Sequence, residues 1–140
     1  MKNLENYKIE NKRVLFRADL NVPLVNGVIS DLSRITAIKK SIEKLISNKN
    51  KIFLTAHFGR PNGEVVNKYS LNFILPKLKE IFNLDKIFFI KNLSQECITK
   101  MLKEMQVGDI CLLENIRFHK EEERIDLQFA KKICNLFDVY

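Results

Sequence analysis

The sequence has 140 residues, of which 46% are hydrophobic, a length and composition that suit one folded domain and exclude a disordered chain. The formal net charge of +7 favours anionic partners, among them nucleic acid, membrane surfaces and phosphorylated metabolites. Cys97, Cys111 and Cys134 are too few for a disulfide framework, which indicates a reducing compartment. Because no apolar run could span a bilayer and no signal sequence follows Met1, we expect a cytoplasmic protein without a membrane partner.

Four short apolar runs alternate with amphipathic stretches along the chain. The runs lie at residues 14–16, 52–54, 87–90 and 110–113, and polar or turn-forming residues follow each of them, as is typical of buried strands. Apolar positions at helical spacing predict helices from Arg34 to about residue 49, from Ser70 to Phe82, from Ser94 to Gln106 and from Asp126 to Phe137. This alternation predicts an α/β fold, a Rossmann-like, doubly wound parallel sheet covered on both faces.

Several local features of these helices can be predicted as well. Ser33 or Asp31 is the expected N-cap of the first helix, and Pro76 is expected in the first turn of the second helix or at a kink. The residues after the last helix, 139–140, are expected to begin a fifth strand. The last helix itself is expected to bury Leu127, Ala130, Ile133, Cys134 and Phe137.

Polar and cationic side chains follow three of the predicted strands. Because ligands of parallel sheets bind beyond the carboxyl ends of the strands, these side chains are expected to meet at one edge. Arginine donates two parallel hydrogen bonds to phosphate or carboxylate, and an aspartate and an asparagine could bind a substrate hydroxyl. The sequence therefore predicts a pocket for a small phosphorylated acid, formed by Arg17, Asp19, Asn21, Arg34, His57, Arg60 and Arg117.

Each of these residues also has a purely structural interpretation. Arg17 and Asp19 could pair with each other, Asn21 could be a turn residue, and His57 could be a core histidine. The arginines at 60 and 117 could be ordinary surface cations. Their coincidence at strand ends favours a binding site.

Other charged segments are weaker candidates. The acidic run at residues 121–123, with its neighbours His119, Lys120 and Arg124, is interpreted as a solvated loop and helix start without a functional role. A nucleic-acid interface is poorly supported, because no aromatic residues are interleaved with Lys39, Lys40, Lys44, Lys49 and Lys51. The isolated glycines form no nucleotide-binding loop.

Five segments of the chain resemble the sequence pattern of the phosphoglycerate kinases. They are RVLFRADLNVP (13–23), SRI (33–35), HFGRP (57–61), KYSL (68–71) and LLENIRF (112–118). Their order and spacing match the family, and the resemblance covers essentially the whole chain.

The resemblance implies that residues 1–140 are the truncated N-terminal, 3-phosphoglycerate-binding domain of a two-domain kinase. Enzymes of this family transfer a phosphoryl group from 1,3-bisphosphoglycerate to magnesium-ADP, giving ATP and 3-phosphoglycerate in glycolysis, and are typically monomeric. The nucleotide-binding C-terminal domain has no counterpart in this chain. The resemblance therefore implies that the chain alone binds no metal or nucleotide and is inactive, because both domains must close around the reactants.

The resemblance also implies roles for individual residues. Arg34 would be the catalytic arginine that supports the phosphoryl group in flight. Arg17 would orient Asp19 as a supporting residue. Substrate contacts are implied for Asp19, Leu20, Asn21, Arg34, His57, Phe58, Gly59, Arg60 and Arg117. A noncatalytic remnant or small binding module is the alternative to an enzyme part, and a basic nucleic-acid binder is a third hypothesis.

Overall fold

The computed structural model describes residues 6–140, which fold into a parallel sheet flanked by helices. The strands are β1 (Arg13–Arg17), β2 (Leu24–Val25), β3 (Val28–Ile29), β4 (Lys51–Thr55), β5 (Phe88–Ile90) and β6 (Ile110–Leu113). The α-helices are α1 (Ser33–Ser47), α2 (Leu75–Phe82), α3 (Gln95–Glu104), α4 (Lys120–Glu123) and α5 (Leu127–Cys134). The main sheet has the strand order β1-β4-β6-β5, with every neighbouring pair parallel.

Helices cover both faces of this sheet. Alternate residues of the strands point to opposite faces, so that Ile52 and Leu54 pack against α1 and α2, whereas Phe53 packs against α3 and α5. Burial on both faces explains why β4 and β6 are nearly continuous apolar runs. The predicted doubly wound α/β fold is confirmed.

The helix ends show which local predictions hold. Leu32 is the N-cap of α1, not Ser33 or Asp31, although the Asp31 carboxylate accepts a hydrogen bond from Ser33 N at 2.7 Å. Pro76 lies in the first turn of α2, where its missing N–H is not needed, so no kink forms. A 3-10 helix precedes α2, and Ser70 caps that segment instead of α2 itself.

The prediction for the last helix is partly wrong. Ile133 and Phe137 are buried as expected, whereas Cys134 is only half-buried, Leu127 is 70% exposed and Ala130 is also exposed. The two exposed residues line an open cleft beside α4 instead of packing on the sheet. Helical periodicity identifies the apolar face of a helix, but it does not reveal whether another element covers the whole of that face.

Two further features complete the fold. Strands β2 and β3 form a small antiparallel hairpin, whose turn places Asn26 and Gly27 at positive φ angles of 50° and 76°. Val139 forms an isolated parallel bridge with Val14, in agreement with the predicted extended segment at residues 139–140.

Within residues 6–140, no helix is both long enough and apolar enough to cross a membrane.

Candidate functional site

The loop after β1 alternates buried and exposed residues. Ala18 and Leu20 are buried, whereas Asp19 and Asn21 are exposed. Ala18 N donates to Thr55 O at 2.9 Å, which extends the pairing of β1 with β4, and Asn21 N donates to the Asp19 carboxylate at 3.1 Å. Core packing therefore fixes the loop, and the polar side chains face solvent at the carboxyl edge of the sheet.

Arg34 joins this loop to the beginning of α1. Its guanidinium Nη1 contacts Asp19 Oδ2, and the two side chains are 44% and 56% exposed, respectively. The predicted pairing of Arg17 with Asp19 is not formed, because Arg34 contacts the aspartate and Arg17 contacts another acid, Glu122. The Asp19–Arg34 pair is open to solvent, so that an anionic ligand can reach the guanidinium.

Gly59, in the loop after β4, links two of the predicted site residues. Its N–H donates to Asn21 Oδ1 at 3.0 Å, and its carbonyl accepts from Arg117 Nη1 at 3.3 Å. Its φ angle is +62°, and a Cβ atom there would lie 2.4 Å from the ring of Tyr69. Only glycine fits this position, and it connects the loop after β1 to the segment after β6.

Asn115, directly after β6, binds these loops from the protein interior. It is 0% exposed, and its amide donates to Phe58 O at 2.7 Å and to Tyr69 O at 2.9 Å. Its Oδ1 accepts from Phe58 N at 3.2 Å and from Arg117 N at 3.1 Å. We call these four bonds the Asn115 network. They satisfy the amide fully in the interior, where an unpaired polar group would be costly.

Glu114 supports the same region. Its carboxylate accepts from Ser70 Oγ at 2.7 Å and from the backbone nitrogens of Leu71 and Asn115 at 2.8 and 2.9 Å. Glu114 and Asn115 belong to the segment LLENIRF, whose pattern alone predicts no role for either residue. Their function is to fix the loops from which the rim residues project.

Leu20 and Phe58, which the resemblance placed at the substrate, turn their side chains into the core. Leu20 is 0% and Phe58 8% exposed, and the Phe58 ring packs against Phe73 with a centroid distance of 4.9 Å. Neither side chain is therefore exposed to a ligand, and both backbone groups of Phe58 are already bonded to Asn115.

His57 is half-buried among cationic side chains. Burial lowers its pKa below the ordinary value of 6.5, and the positive charge of Arg117 lowers it further. Arg17 and Arg34 act in the same direction, whereas the carboxylate of Glu122 opposes them. The imidazole is therefore neutral at neutral pH, with one N–H donor and one acceptor nitrogen.

Arg60 differs from the other predicted cations. Its side chain is exposed, and it forms no ion pair with any residue between 6 and 140. The neighbouring Pro61 is buried and anchors this part of the loop. Arg60 is thus an unpaired cation on an anchored segment.

Glu122, a member of the acidic run for which the sequence predicts no functional role, lies at this edge. Glu122 Oε1 accepts from Arg17 Nη2 at 2.7 Å, and its other oxygen lies 3.9 Å from Arg117 Nε. Its side chain is only 15% exposed, in contrast with the exposed Glu121 and Glu123. The acidic run after Arg117 was visible in the sequence, but only the short helix α4 determines which acid turns inward.

Contacts and charge effects link six of the predicted residues at one edge, and the exposed Arg60 follows Gly59 in the same loop. We call this set the cationic rim: Arg17, Asp19, Asn21, Arg34, His57, Arg60 and Arg117. Beside it, between the ends of β1 and β4 and helices α4 and α5, lies a mostly apolar cleft of about 390 Å³. Its lining includes Leu15, Arg17, Ile116, Glu122, Phe129 and Ile133. Within residues 6–140, no group of three or more His, Cys, Asp or Glu residues could hold a metal ion.

Comparison with known proteins gives a consistent answer. The sequence profile of phosphoglycerate kinase matches residues 4–140. The phosphoglycerate kinase of Finegoldia magna is 39% identical over 140 residues, covering 99% of this chain and 35% of the relative. That of Prochlorococcus marinus is 42% identical over 145 residues, covering 100% of this chain and 35% of the relative.

Solved structures show the same relationship. The phosphoglycerate kinase of Coxiella burnetii superimposes with a TM-score of 0.81 and 33% identity, over 96% of this chain and 33% of that chain. The enzyme from Pyrococcus horikoshii gives a TM-score of 0.83 and 28% identity, over 99% of this chain and 36% of that chain. The chain thus spans about a third of the length of these relatives. Over that span, it belongs to the phosphoglycerate kinase family.

Proposed function

We propose that this chain is the N-terminal, 3-phosphoglycerate-binding part of a phosphoglycerate kinase and that it binds its ligand along the cationic rim. The whole enzyme would transfer a phosphoryl group from 1,3-bisphosphoglycerate to ADP, giving ATP and 3-phosphoglycerate. One observation carries the proposal: segments distant in sequence meet at one edge, where Arg34 contacts Asp19 and Gly59 is bonded to both Asn21 and Arg117. Membership of the family supports it.

The chemistry of the rim suits a phosphorylated hydroxy acid. Asp19 can accept a hydrogen bond from the ligand's hydroxyl. The side-chain oxygen of Asn21 already accepts from Gly59 N, so Asn21 would bind the ligand through its amide nitrogen, as a donor. Arg60 and Arg117 would bind the phosphate, since guanidinium groups donate paired hydrogen bonds to its oxygens. The neutral His57 adds a donor to the ligand's anionic groups without depending on its own protonation.

Arg34 would act on the group that is transferred. In-line phosphoryl transfer concentrates negative charge on the moving group, and a fixed cation stabilises that charge without a covalent step. The contact with Asp19 holds Arg34 near the rim when no ligand is bound. Because that pair is solvent-exposed, the arginine can turn toward the reacting group at small cost.

The remaining parts of the reaction would come from outside this chain. Magnesium-ADP or magnesium-ATP would be bound by the nucleotide-binding domain of the whole enzyme, and the closing of the two domains would bring the reactants together. The whole enzyme would be cytoplasmic, with no nucleic-acid partner, and it would be monomeric, as the family resemblance implies.

Isothermal titration calorimetry with 3-phosphoglycerate tests the binding proposal. Arg34→Ala and Arg60→Ala should each weaken binding by about tenfold or more, because each removes charge-assisted hydrogen bonds to the ligand. Lys40→Ala, an exposed cation on the same helix as Arg34, should change the affinity by less than about twofold. Equal losses in all three variants, or no heat of binding by the unaltered chain, would contradict the proposal.

Catalysis is tested by supplying the missing part. The chain is mixed with a separately prepared nucleotide-binding domain of a relative, magnesium-ADP and 1,3-bisphosphoglycerate, and ATP formation is followed. We expect activity from the mixture, none from either part alone, and none from a mixture that contains Arg34→Ala. Failure of the mixture under conditions where both parts are folded and associated would favour a noncatalytic binding module.

A further inference from the structure

Glu122 stands between two arginines of the rim that come from different parts of the chain. Arg17 ends β1, whereas Arg117 lies in the 3-10 helix after β6. Glu122 Oε1 accepts from Arg17 Nη2 at 2.7 Å, and Glu122 Oε2 is 3.9 Å from Arg117 Nε. We call these three residues the Glu122 cluster. Removal of this carboxylate would leave two neighbouring guanidinium groups without the acid that contacts both.

The guanidinium of Arg117 makes one long hydrogen bond, to Gly59, and one ion pair, with Glu122. Its Nη1 donates to Gly59 O at 3.3 Å, which is long for a hydrogen bond to a carbonyl. Its Nε is buried without any hydrogen-bond partner, and the nearest carboxylate is that of Glu122, beyond hydrogen-bond distance. Its other terminal nitrogen, Nη2, makes no hydrogen bond to a residue between 6 and 140. The orientation of this guanidinium therefore depends strongly on Glu122.

We propose that Glu122 is a positioning residue, which holds the guanidinium groups of Arg17 and Arg117 at the rim in the arrangement that receives the ligand's phosphate. The identity of that ligand rests on the proposed function, whereas the geometric role of Glu122 does not. Glu122 touches the arginines and is not itself expected to contact the phosphate, because two anionic groups would repel each other.

The sign of the effect on binding separates positioning from simple electrostatics. If Glu122 acted only as a negative charge near an anion site, its removal would strengthen phosphate binding. If it positions the arginines, its removal weakens binding, because the guanidinium groups must then be ordered by the ligand itself. The two explanations thus predict opposite changes in the dissociation constant.

The test compares Glu122→Ala, Glu122→Gln and the control Glu123→Ala, whose wild-type side chain is exposed on the same helix turn. Calorimetry with 3-phosphoglycerate and with inorganic phosphate should give a dissociation constant about tenfold higher for Glu122→Ala. Glu122→Gln, which keeps an acceptor oxygen for Arg17, should give an intermediate value. Glu123→Ala should change it by less than about twofold. An unchanged or lower dissociation constant for Glu122→Ala would overturn the proposal.

A second measurement does not depend on the ligand. In the free protein, the Nη2–H group of Arg17, which donates to Glu122, and the buried Nε–H group of Arg117 should give resolved nuclear magnetic resonance signals, protected from exchange with water. Glu122→Ala should move both signals to the solvent-averaged position, whereas thermal unfolding and the signals of the core should be retained. Unchanged arginine signals would overturn the positioning role. If the unaltered chain does not bind 3-phosphoglycerate, the proposed function fails, and the arginine signals still decide the role of Glu122.

Discussion

The two sides of the cationic rim are held by different kinds of interaction. Around Asn21 and Gly59, the loops are fixed by the Asn115 network, which consists of side-chain hydrogen bonds of 2.7–3.2 Å to the backbone. At the other side, the carboxylate of Glu122 contacts both Arg17 and Arg117 beside an apolar cleft, and Arg117 Nη1 also donates to Gly59 O. A buried amide network is formed together with the core, whereas an ion pair at the surface adds little to stability. We infer that folding of the core fixes the loops of the first side, whereas Glu122 sets the positions of the guanidinium groups on the second side.

The largest effect on stability is expected from Asn115→Ala. It removes four hydrogen bonds and leaves buried backbone groups of Phe58 and Tyr69 without partners, which should lower the free energy of unfolding by about 4 kcal/mol. Urea denaturation followed by circular dichroism measures the loss. Asn135→Ala, at an exposed position after α5, should cost less than about 0.5 kcal/mol. Similar losses in the two variants would contradict the comparison of the two sides.

A smaller loss is expected from Gly59→Ala. The new methyl group meets the Tyr69 ring and the backbone has a positive φ angle, so the free energy of unfolding should fall by about 3 kcal/mol. Gly27→Ala is the matched control, because Gly27 also has a positive φ angle but open space around its Cβ position. Its cost should be only about 1 kcal/mol. Equal costs would mean that backbone strain alone, and not the contact with Tyr69, explains the glycine.

The smallest effect is expected from the exposed ion pair that joins the segment after α5 to β1. Arg13 Nη2 lies 2.7 Å from Asp138 Oδ1, and hydrogen bonds from Arg13 lower the pKa of Asp138 from 3.8 to about 2. The pKa of Asp138 is lower in the folded protein than in the unfolded chain. The ion pair therefore stabilises the fold above about pH 4, and this stabilisation is lost as the pH falls toward 2.

Solvent screening limits this stabilisation to less than about 1 kcal/mol. Thermal unfolding of Asp138→Asn and of the unaltered chain should therefore differ slightly at pH 7, and the difference should vanish near pH 2. A difference that grew toward low pH would have the wrong sign for this pair.

The sequence was sufficient to predict the parts of the molecule that depend on local pattern. Continuous apolar runs correctly predicted the four parallel strands, and the polar residues after them met at one edge because parallel strands end together. The pairing within the rim was not predictable. Arg17 pairs with Glu122 instead of Asp19, because α4 places this glutamate, 105 residues away in sequence, beside the end of β1. Likewise, the exposure of Leu127 depends on what covers α5, which no periodicity encodes.

The most direct test of the account is to map where 3-phosphoglycerate binds on the chain, by following backbone amide chemical shifts during a titration. The account predicts saturable changes at residues 19–21, Gly59, Arg117 and the beginning of α1, together with changes in the ring signals of His57. Residues of the apolar cleft remote from the rim, such as Phe129 and Ile133, should not respond. Changes centred on the apolar cleft, or none at the cationic rim at saturating ligand, would contradict the assignment of the rim as the glycerate site.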